Sequence, residues 1–186
     1  MPRLTFSCAI VVLLTANITL AQTAPRWFVG DGSTLTFIAL QEGAAFEGRF
    51  EEFQIDIQFS PDQLAASHLT VSVDTGSVDT MLAARDEALR APEFFDAMQW
   101  PVARFEASSF TSLGGSSYEA AGQLTIRDQT HSIAIPFEYA DTPAGPVLHG
   151  ELVIPRLLFG IGLGEWSDTR IIGADVRVLF DLQLVR

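Results

Sequence analysis

A strict alternation of apolar and polar residues is the feature that most constrains the fold of this chain. The clearest case is the segment Phe53-Gln54-Ile55-Asp56-Ile57-Gln58-Phe59. Because successive side chains of a β-strand point to opposite faces, this pattern predicts a strand with one dry and one wet face. Such strands are typical of antiparallel sheets.

The same alternation recurs along most of the chain. Strands are predicted at residues 34–40, 46–50, 53–59, 69–73, 102–110, 118–126, 131–137, 148–154 and 171–185. Turn signals separate them, such as Gly114-Gly115-Ser116-Ser117. Short strands at this spacing indicate a β-sandwich or a barrel of about eight strands. Because no strand–helix–strand pattern occurs, a parallel sheet is not expected.

One segment, residues 80–90, lacks the alternation and is rich in Ala, Leu, Glu and Arg. This composition predicts a single short helix, which Pro92 ends. Phe94-Phe95-Asp96 follows the helix, and we expect the two phenylalanines to pack over the barrel as an apolar plug. Asp96 is interpreted as a turn residue.

The N-terminus has the pattern of a secretory signal peptide over residues 1–21. Arg3 supplies a positive charge, an apolar stretch covers residues 8–20, and Thr19-Leu20-Ala21 forms a cleavage site before Gln22. The alternative is a membrane anchor, but Asn17 interrupts the stretch and a spanning helix needs about 20 apolar residues. We therefore predict a periplasmic protein with one domain, residues 22–186.

Composition excludes several kinds of chemistry. The only cysteine, Cys8, lies in the predicted signal, and the chain contains no lysine. A mature protein of this kind has no thiolate nucleophile and no lysine Schiff base. Its three histidines lie on separate elements, so neither a metal nor catalytic residues are expected. The net charge of −12 disfavours nucleic acid as a partner.

Several motifs in a fixed order resemble the YceI-like family, a lipocalin-like family of bacterial proteins. They are Phe37, Gly48-Arg49-Phe50, Asp86, Leu89, Phe94-Phe95-Asp96, Pro101, Phe105, Gly122, Leu124-Thr125-Ile126-Arg127, Pro136-Phe137, Arg156, Phe159-Gly160-Ile161-Gly162 and Trp166. The resemblance extends from about Trp27 to the C-terminus. It implies an all-β fold, an eight-stranded antiparallel lipocalin-like barrel around an apolar tube.

The resemblance also implies a function. Characterised members of the family are mostly periplasmic and bind polyisoprenoid chains such as isoprenoid quinones. The branch with an acidic stretch like Gly164-Glu165-Trp166 is associated with b-type cytochrome membrane proteins, and it often has a His where Gln41 stands here. No cofactor is expected beyond a bound polyisoprenoid or isoprenoid quinone.

The abundant phenylalanines allow two interpretations. Without the family they would be ordinary barrel core, because the interior of eight strands is just wide enough for side chains or one small ligand. The resemblance favours a ligand cavity instead. Its predicted lining is Phe37, Phe50, Phe53, Phe105, Phe137 and Phe159, with Arg156 and Trp166 nearer the opening.

Arg156 lies between apolar residues and also allows two interpretations. It pairs with an Asp on a neighbouring strand, or it donates hydrogen bonds to a quinone carbonyl or a phosphate at the mouth of the tube. Gly160 and Gly162 after it indicate a bend.

The sequence thus predicts a non-catalytic periplasmic carrier of an isoprenoid lipid. The alternative is a ligand-free module that docks on a membrane b-type cytochrome or another envelope partner.

Overall fold

The computed structural model describes residues 24–186. The predicted signal peptide, residues 1–21, lies outside this range. Within residues 24–186, no helix has both the length and the apolar content needed to cross a membrane.

Eleven β-strands account for most of the described chain. They are β1 (Arg26–Val29), β2 (Thr34–Gln41), β3 (Ala44–Phe50), β4 (Phe53–Gln58), β5 (His68–Asp74), β6 (Val78–Asp79), β7 (Val102–Gly114), β8 (Ser117–Ile126), β9 (Gln129–Thr142), β10 (Gly145–Pro155) and β11 (Asp175–Val185). The helix α1 covers Ala83–Arg90, and four short 3₁₀ turns cover Leu64–Ala66, Thr75–Ser77, Arg156–Phe159 and Gly164–Ser167.

The strands form one closed antiparallel barrel. The order of neighbours is β1-β4-β5-β7-β8-β9-β10-β11, and β11 pairs back with β1, while β2 continues β1 and β3 precedes β4. If β1 with β2 and β3 with β4 are each counted as one bent strand, eight strands surround the interior. The predicted eight-stranded antiparallel barrel is therefore confirmed, and closure leaves the ring without a free edge.

The two ends of the barrel carry different connections. The upper end holds the hairpin at 42–43, the long connection 75–101 with α1, the hairpin at 127–128 and the connection 156–174. The lower end holds residues 59–67 and the hairpins at 115–116 and 143–144. The upper end thus has far more chain with which to build a site.

Side-chain hydrogen bonds tie α1 to the upper end. The buried carboxylate of Asp86 accepts hydrogen bonds from the backbone N–H of Thr80 at 2.8 Å and from its hydroxyl at 2.6 Å. Arg90 donates to the carbonyl oxygens of Gly76 and Val78 at 2.7 and 2.6 Å. We call residues 80–100, which include α1 and Phe94-Phe95, the cap segment.

The strands β1 and β6 were not predicted, and several element boundaries differ from the predicted ones, two of them for a clear physical reason. The helix begins at Ala83, because Thr80 is bound to Asp86 and Met81 has a φ of 61°, outside the helical region. The last strand begins at Asp175 and not at residue 171. The carbonyl oxygens of Ile172 and Gly173 accept hydrogen bonds from Arg156, and only an isolated bridge between Ile172 and Gln41 joins this segment to β2.

Candidate functional site

An apolar cavity of about 500 Å³ runs along the inside of the barrel. This volume lies within the range of pockets that hold one small ligand, about 300–1,000 Å³. Ala120 and Ile126 of β8 both line it, and six residue steps of a strand correspond to about 20 Å. The cavity is lined by the inward residues of the ring, such as Ile55, Val71, Leu124, Ile133, Ile135, Val178, Phe180 and Leu182.

Packed aromatic rings close the lower end of the cavity. Phe110 and Phe137 line the cavity itself. Phe59, only 1% exposed, lies against both of them, with ring centroids 5.6 and 5.4 Å away. Tyr118 stacks on Phe137 at 5.8 Å, and Tyr139 lies 5.2 Å from Phe59. We call these five residues the aromatic floor.

The outermost residue of the floor carries a polar group that faces away from the cavity. The hydroxyl of Tyr139 donates to the Asp141 carboxylate at 2.8 Å. Burial, together with this hydrogen bond, raises the pKa of Tyr139 above its usual value. The phenol of Tyr139 therefore stays neutral.

A second aromatic group surrounds the upper end. Phe37 lies 5.6 Å from Phe50, whose other neighbour is Phe95 of the cap segment at 5.8 Å. Phe94 packs on Trp166 at 5.7 Å. The expected apolar plug is thus present, because Phe94 and Phe95 both line the cavity from above.

Glycine at position 48 makes room for one of these rings. A Cβ atom on Gly48 would overlap the ring of Phe37 and lie 2.9 Å from the Thr80 methyl group. The Gly48-Arg49-Phe50 motif therefore has a packing reason. Gly48 admits the Phe37 ring, and Arg49 points outward to Asp79 at 2.7 Å.

Arg156 is buried, with 2% of its surface exposed, and its guanidinium is enclosed by backbone carbonyls. Nε donates to Gly173, Nη1 to Ile161 and Gly162, and Nη2 to Trp166 and Ile172, all at 2.7–2.8 Å. Burial lowers the pKa of Arg156 from its ordinary value.

All five N–H donors of this guanidinium are thereby used. Both interpretations of Arg156 from the sequence are corrected: it neither pairs with an Asp in the described chain nor keeps a donor free for a ligand head group. Its role is to hold together the connection 156–174, from which Trp166 reaches the cavity.

The structure brings together seven of the eight residues predicted to line a ligand site. They are Phe37, Phe50, Phe53, Phe105, Phe137, Arg156 and Trp166. Phe159 is the exception: it is buried, but its ring packs against His131 at 5.0 Å and is not among the lining residues. The strand alternation used to place it does not apply, because residues 156–159 form a 3₁₀ turn.

A few polar side chains reach the upper part of the cavity. Gln41 lines it from the end of β2, and Arg85 lines it from α1 with its guanidinium 4.1 Å above the Phe46 ring. Sequence reasoning missed Arg85 and Phe46. The position of Arg85 three residues before Ala88, which also lines the cavity, is a helical spacing that could have indicated it.

No group of three or more His, Cys, Asp or Glu residues within residues 24–186 is arranged to hold a metal ion.

Solved structures share this architecture. BcnA of Burkholderia cenocepacia superposes with a TM-score of 0.79 and 28% identity, over 83% of this chain and 96% of that one. A YceI protein of Campylobacter jejuni gives a TM-score of 0.66 at 22% identity, over 75% and 84% of the two chains. A domain described as polyisoprenoid binding, from Saccharophagus degradans, gives 0.68 at 14%, over 86% and 97%. At the last two identities, the likeness concerns the fold.

Comparison of sequences identifies relatives and a family. A UPF0312 protein of Vibrio cholerae is 34% identical over 100 residues, 54% of this chain and 53% of that protein. A UPF0312 protein of Vibrio vulnificus is 30% identical over 118 residues, 63% and 62% of the two chains. The match thus spans about half the length of the first relative. The model of the YceI-like domain matches residues 28–184, nearly the whole described barrel, and the chain therefore belongs to the YceI-like family.

Proposed function

We propose that this protein is a non-catalytic, periplasmic carrier that holds an isoprenoid lipid, a polyprenyl chain or an isoprenoid quinone, inside the barrel. The observation that carries the proposal is the apolar cavity of about 500 Å³, which has the aromatic floor at one end and the cap segment at the other. The polyisoprenoid-binding domain of the same fold supports it.

The free energy of binding should come mainly from the apolar surface of the ligand that the cavity buries. Each buried CH₂ group contributes about 0.8 kcal/mol, so a chain of several prenyl units gains enough free energy without polar contacts. Since the donors of Arg156 are occupied, the side chains available to a head group are few, chiefly Gln41 and Arg85. Affinity should therefore depend strongly on the tail and weakly on the head group.

Organic extraction of the purified protein, followed by mass spectrometry, tests the ligand directly. We expect a prenyl lipid in near-stoichiometric amount, and we expect stripped protein to take up an added prenyl alcohol. A barrel that is empty when purified and indifferent to added prenyl lipids would contradict the proposal. That result would favour the alternative, a module that docks on a membrane b-type cytochrome or another envelope partner.

A matched pair of variants on β9 tests the location of the ligand. Ile135 lines the cavity, whereas the adjacent Ala134 is exposed on the outer face. Ile135→Trp fills part of the tube with apolar volume, so it should weaken binding of a fluorescent prenyl probe at least tenfold. Ala134→Trp adds the same group outside and should leave binding unchanged. Equal effects of the two variants, both folded by circular dichroism, would place the ligand elsewhere.

A further inference from the structure

We propose that the aromatic floor acts as a stop for the end of the bound chain, so that the barrel accepts prenyl tails only up to a fixed length, with the head group at the upper end. This inference rests on the proposed function and adds to it an orientation and an upper length limit.

The first argument is that aromatic side chains fill the lower end of the barrel. Phe110 and Phe137 form the bottom of the cavity, and Phe59 and Tyr118 fill the space directly behind them. Phe59 and Tyr118 are 1% and 8% exposed. Interiors this closely packed do not yield to a longer chain without losing many contacts at once. A tail that reaches Phe110 therefore has no further room.

A β-bulge is what brings Phe110 into this position. Phe105 and Ala107 of β7 are buried, and plain alternation would point residue 109 inward next. The pairing of β7 with β8 shifts register between Ala107 and Ser109, so that Phe110 faces the interior opposite Ala120. The extra residue places a large ring across the tube at one defined depth.

The second argument concerns orientation. The polar side chains that line the cavity, Gln41 and Arg85 among them, lie at the upper end. The floor residues that line the cavity, Phe110 and Phe137, offer a head group only apolar rings. A carbonyl, hydroxyl or phosphate buried there would lose its hydrogen bonds to water without replacement, which is strongly unfavourable. The tail therefore enters first and points down.

The experiment is a binding series of all-trans prenyl alcohols, each longer by one prenyl unit, measured by displacement of a fluorescent prenyl probe from stripped protein. For the unmodified chain, affinity should rise with length until the tail spans the cavity and should fall for longer chains. Phe110→Leu should move that limit to a chain one unit longer. Phe105→Leu shortens a wall residue of the same strand and should leave the limit in place.

A second variant acts in the opposite direction and does not depend on the first one folding. Ala120, opposite Phe110, is 1% exposed and lines the cavity. Ala120→Leu raises the floor and should shorten the limit by about one unit. If neither floor variant changes the maximum chain length, the proposal that the floor stops the chain is wrong, but the proposed carrier function is not contradicted. If the unmodified chain binds no prenyl alcohol at all, the proposed function and this inference are both wrong.

Orientation has its own readout. A quinone head group quenches nearby tryptophan fluorescence, and Trp166 lies at the upper end while Trp27 lies at the lower end, on β1. Because Trp100 also lies at the upper end, the test uses a Trp100→Phe background. In that background, Trp166→Phe should remove most of the quenching by a prenylated quinone, and Trp27→Phe should leave it. The reverse pattern would overturn the tail-down orientation.

Discussion

At the scale of single residues, Arg156 shows how a charge can be buried without a counter-ion from residues 24–186. Five carbonyl dipoles replace the water that its five N–H groups would otherwise bind. The carbonyls belong to a connection without a strand ladder, so the guanidinium supplies the donors that a neighbouring strand would have supplied. Gly162 stands beside it because a Cβ there would overlap Nη1.

Replacing this arginine should therefore destabilise the protein even when the charge is kept. Arg156→Lys has only three donors, so at least two buried carbonyls lose their partner, and the free energy of unfolding should fall by about 2–6 kcal/mol. Arg177→Lys is the control, since Arg177 makes an exposed ion pair with Glu151 at 2.7 Å and should change stability by less than about 1 kcal/mol. Denaturant unfolding followed by circular dichroism measures both, and similar losses in the two variants would contradict the enclosure of Arg156 as the cause.

At the scale of elements, the cap segment is held to the barrel by separate hydrogen bonds and side-chain packing, and not by a strand ladder. The strands of the ring are joined by continuous ladders, while α1 is one helix of eight residues that depends on the bonds of Asp86 and Arg90 to residues 76–80. An isolated helix of this length is unstable in water, so its tertiary contacts must hold it. The cap segment is thus the element that we expect to open first.

Removing the Asp86 carboxylate tests this. Asp86→Ala leaves the N–H and hydroxyl of buried Thr80 without their acceptor, which should lower the free energy of opening of the cap segment by about 1–3 kcal/mol. Hydrogen exchange should accelerate at residues 80–90 and stay unchanged in β8 and β9. Glu87→Ala changes the next, exposed carboxylate of the same helix and should have little effect. Uniform acceleration across the barrel after Asp86→Ala would mean that the cap segment does not open as a unit.

At the scale of the whole molecule, the cavity links stability to occupancy. Side chains that face unfilled space lack packing partners, and a bound chain would supply them. A ligand that binds the folded state alone stabilises it by about 2.7 kcal/mol at one hundred times its Kd. The Tm of this protein should therefore rise with prenyl lipid concentration.

Stripped protein, reloaded with a prenyl alcohol at that concentration, should melt about 5–10 °C higher than the empty form. Differential scanning calorimetry of the stripped, reloaded and as-purified protein measures the shift. A prenyl alcohol too short to fill the tube is the control and should give a smaller increase. A Tm that stays constant under saturating ligand would argue against binding inside the barrel.

Much of the fold follows from local patterns. The alternation at residues 53–59 predicted β4 because a pleated backbone must send successive side chains to opposite faces, whatever surrounds them. The same alternation correctly predicted that Phe37, Phe105 and Phe137 lie on the inner face. The absence of alternation, combined with Pro92, located the helix to within three residues at its start.

The exceptions arise where the alternation of inward and outward side chains is interrupted. Phe159 was predicted to face the cavity, but a 3₁₀ turn sends its ring to His131 instead. Phe110 is inside only because of the register shift in β7, which depends on its partner strand. Arg156 was assigned to a carboxylate or a ligand, yet its acceptors are carbonyls 5 to 17 residues away along the chain.

The sequence by itself therefore determined most of the strands, the helix, the one-sided faces and the family, because each depends on backbone geometry or on motifs read in order. The tertiary structure decided which rings close the tube, where a register shift turns Phe110 inward and what satisfies the buried arginine. These depend on pairing register and on partners brought together by barrel closure, and no local periodicity records either.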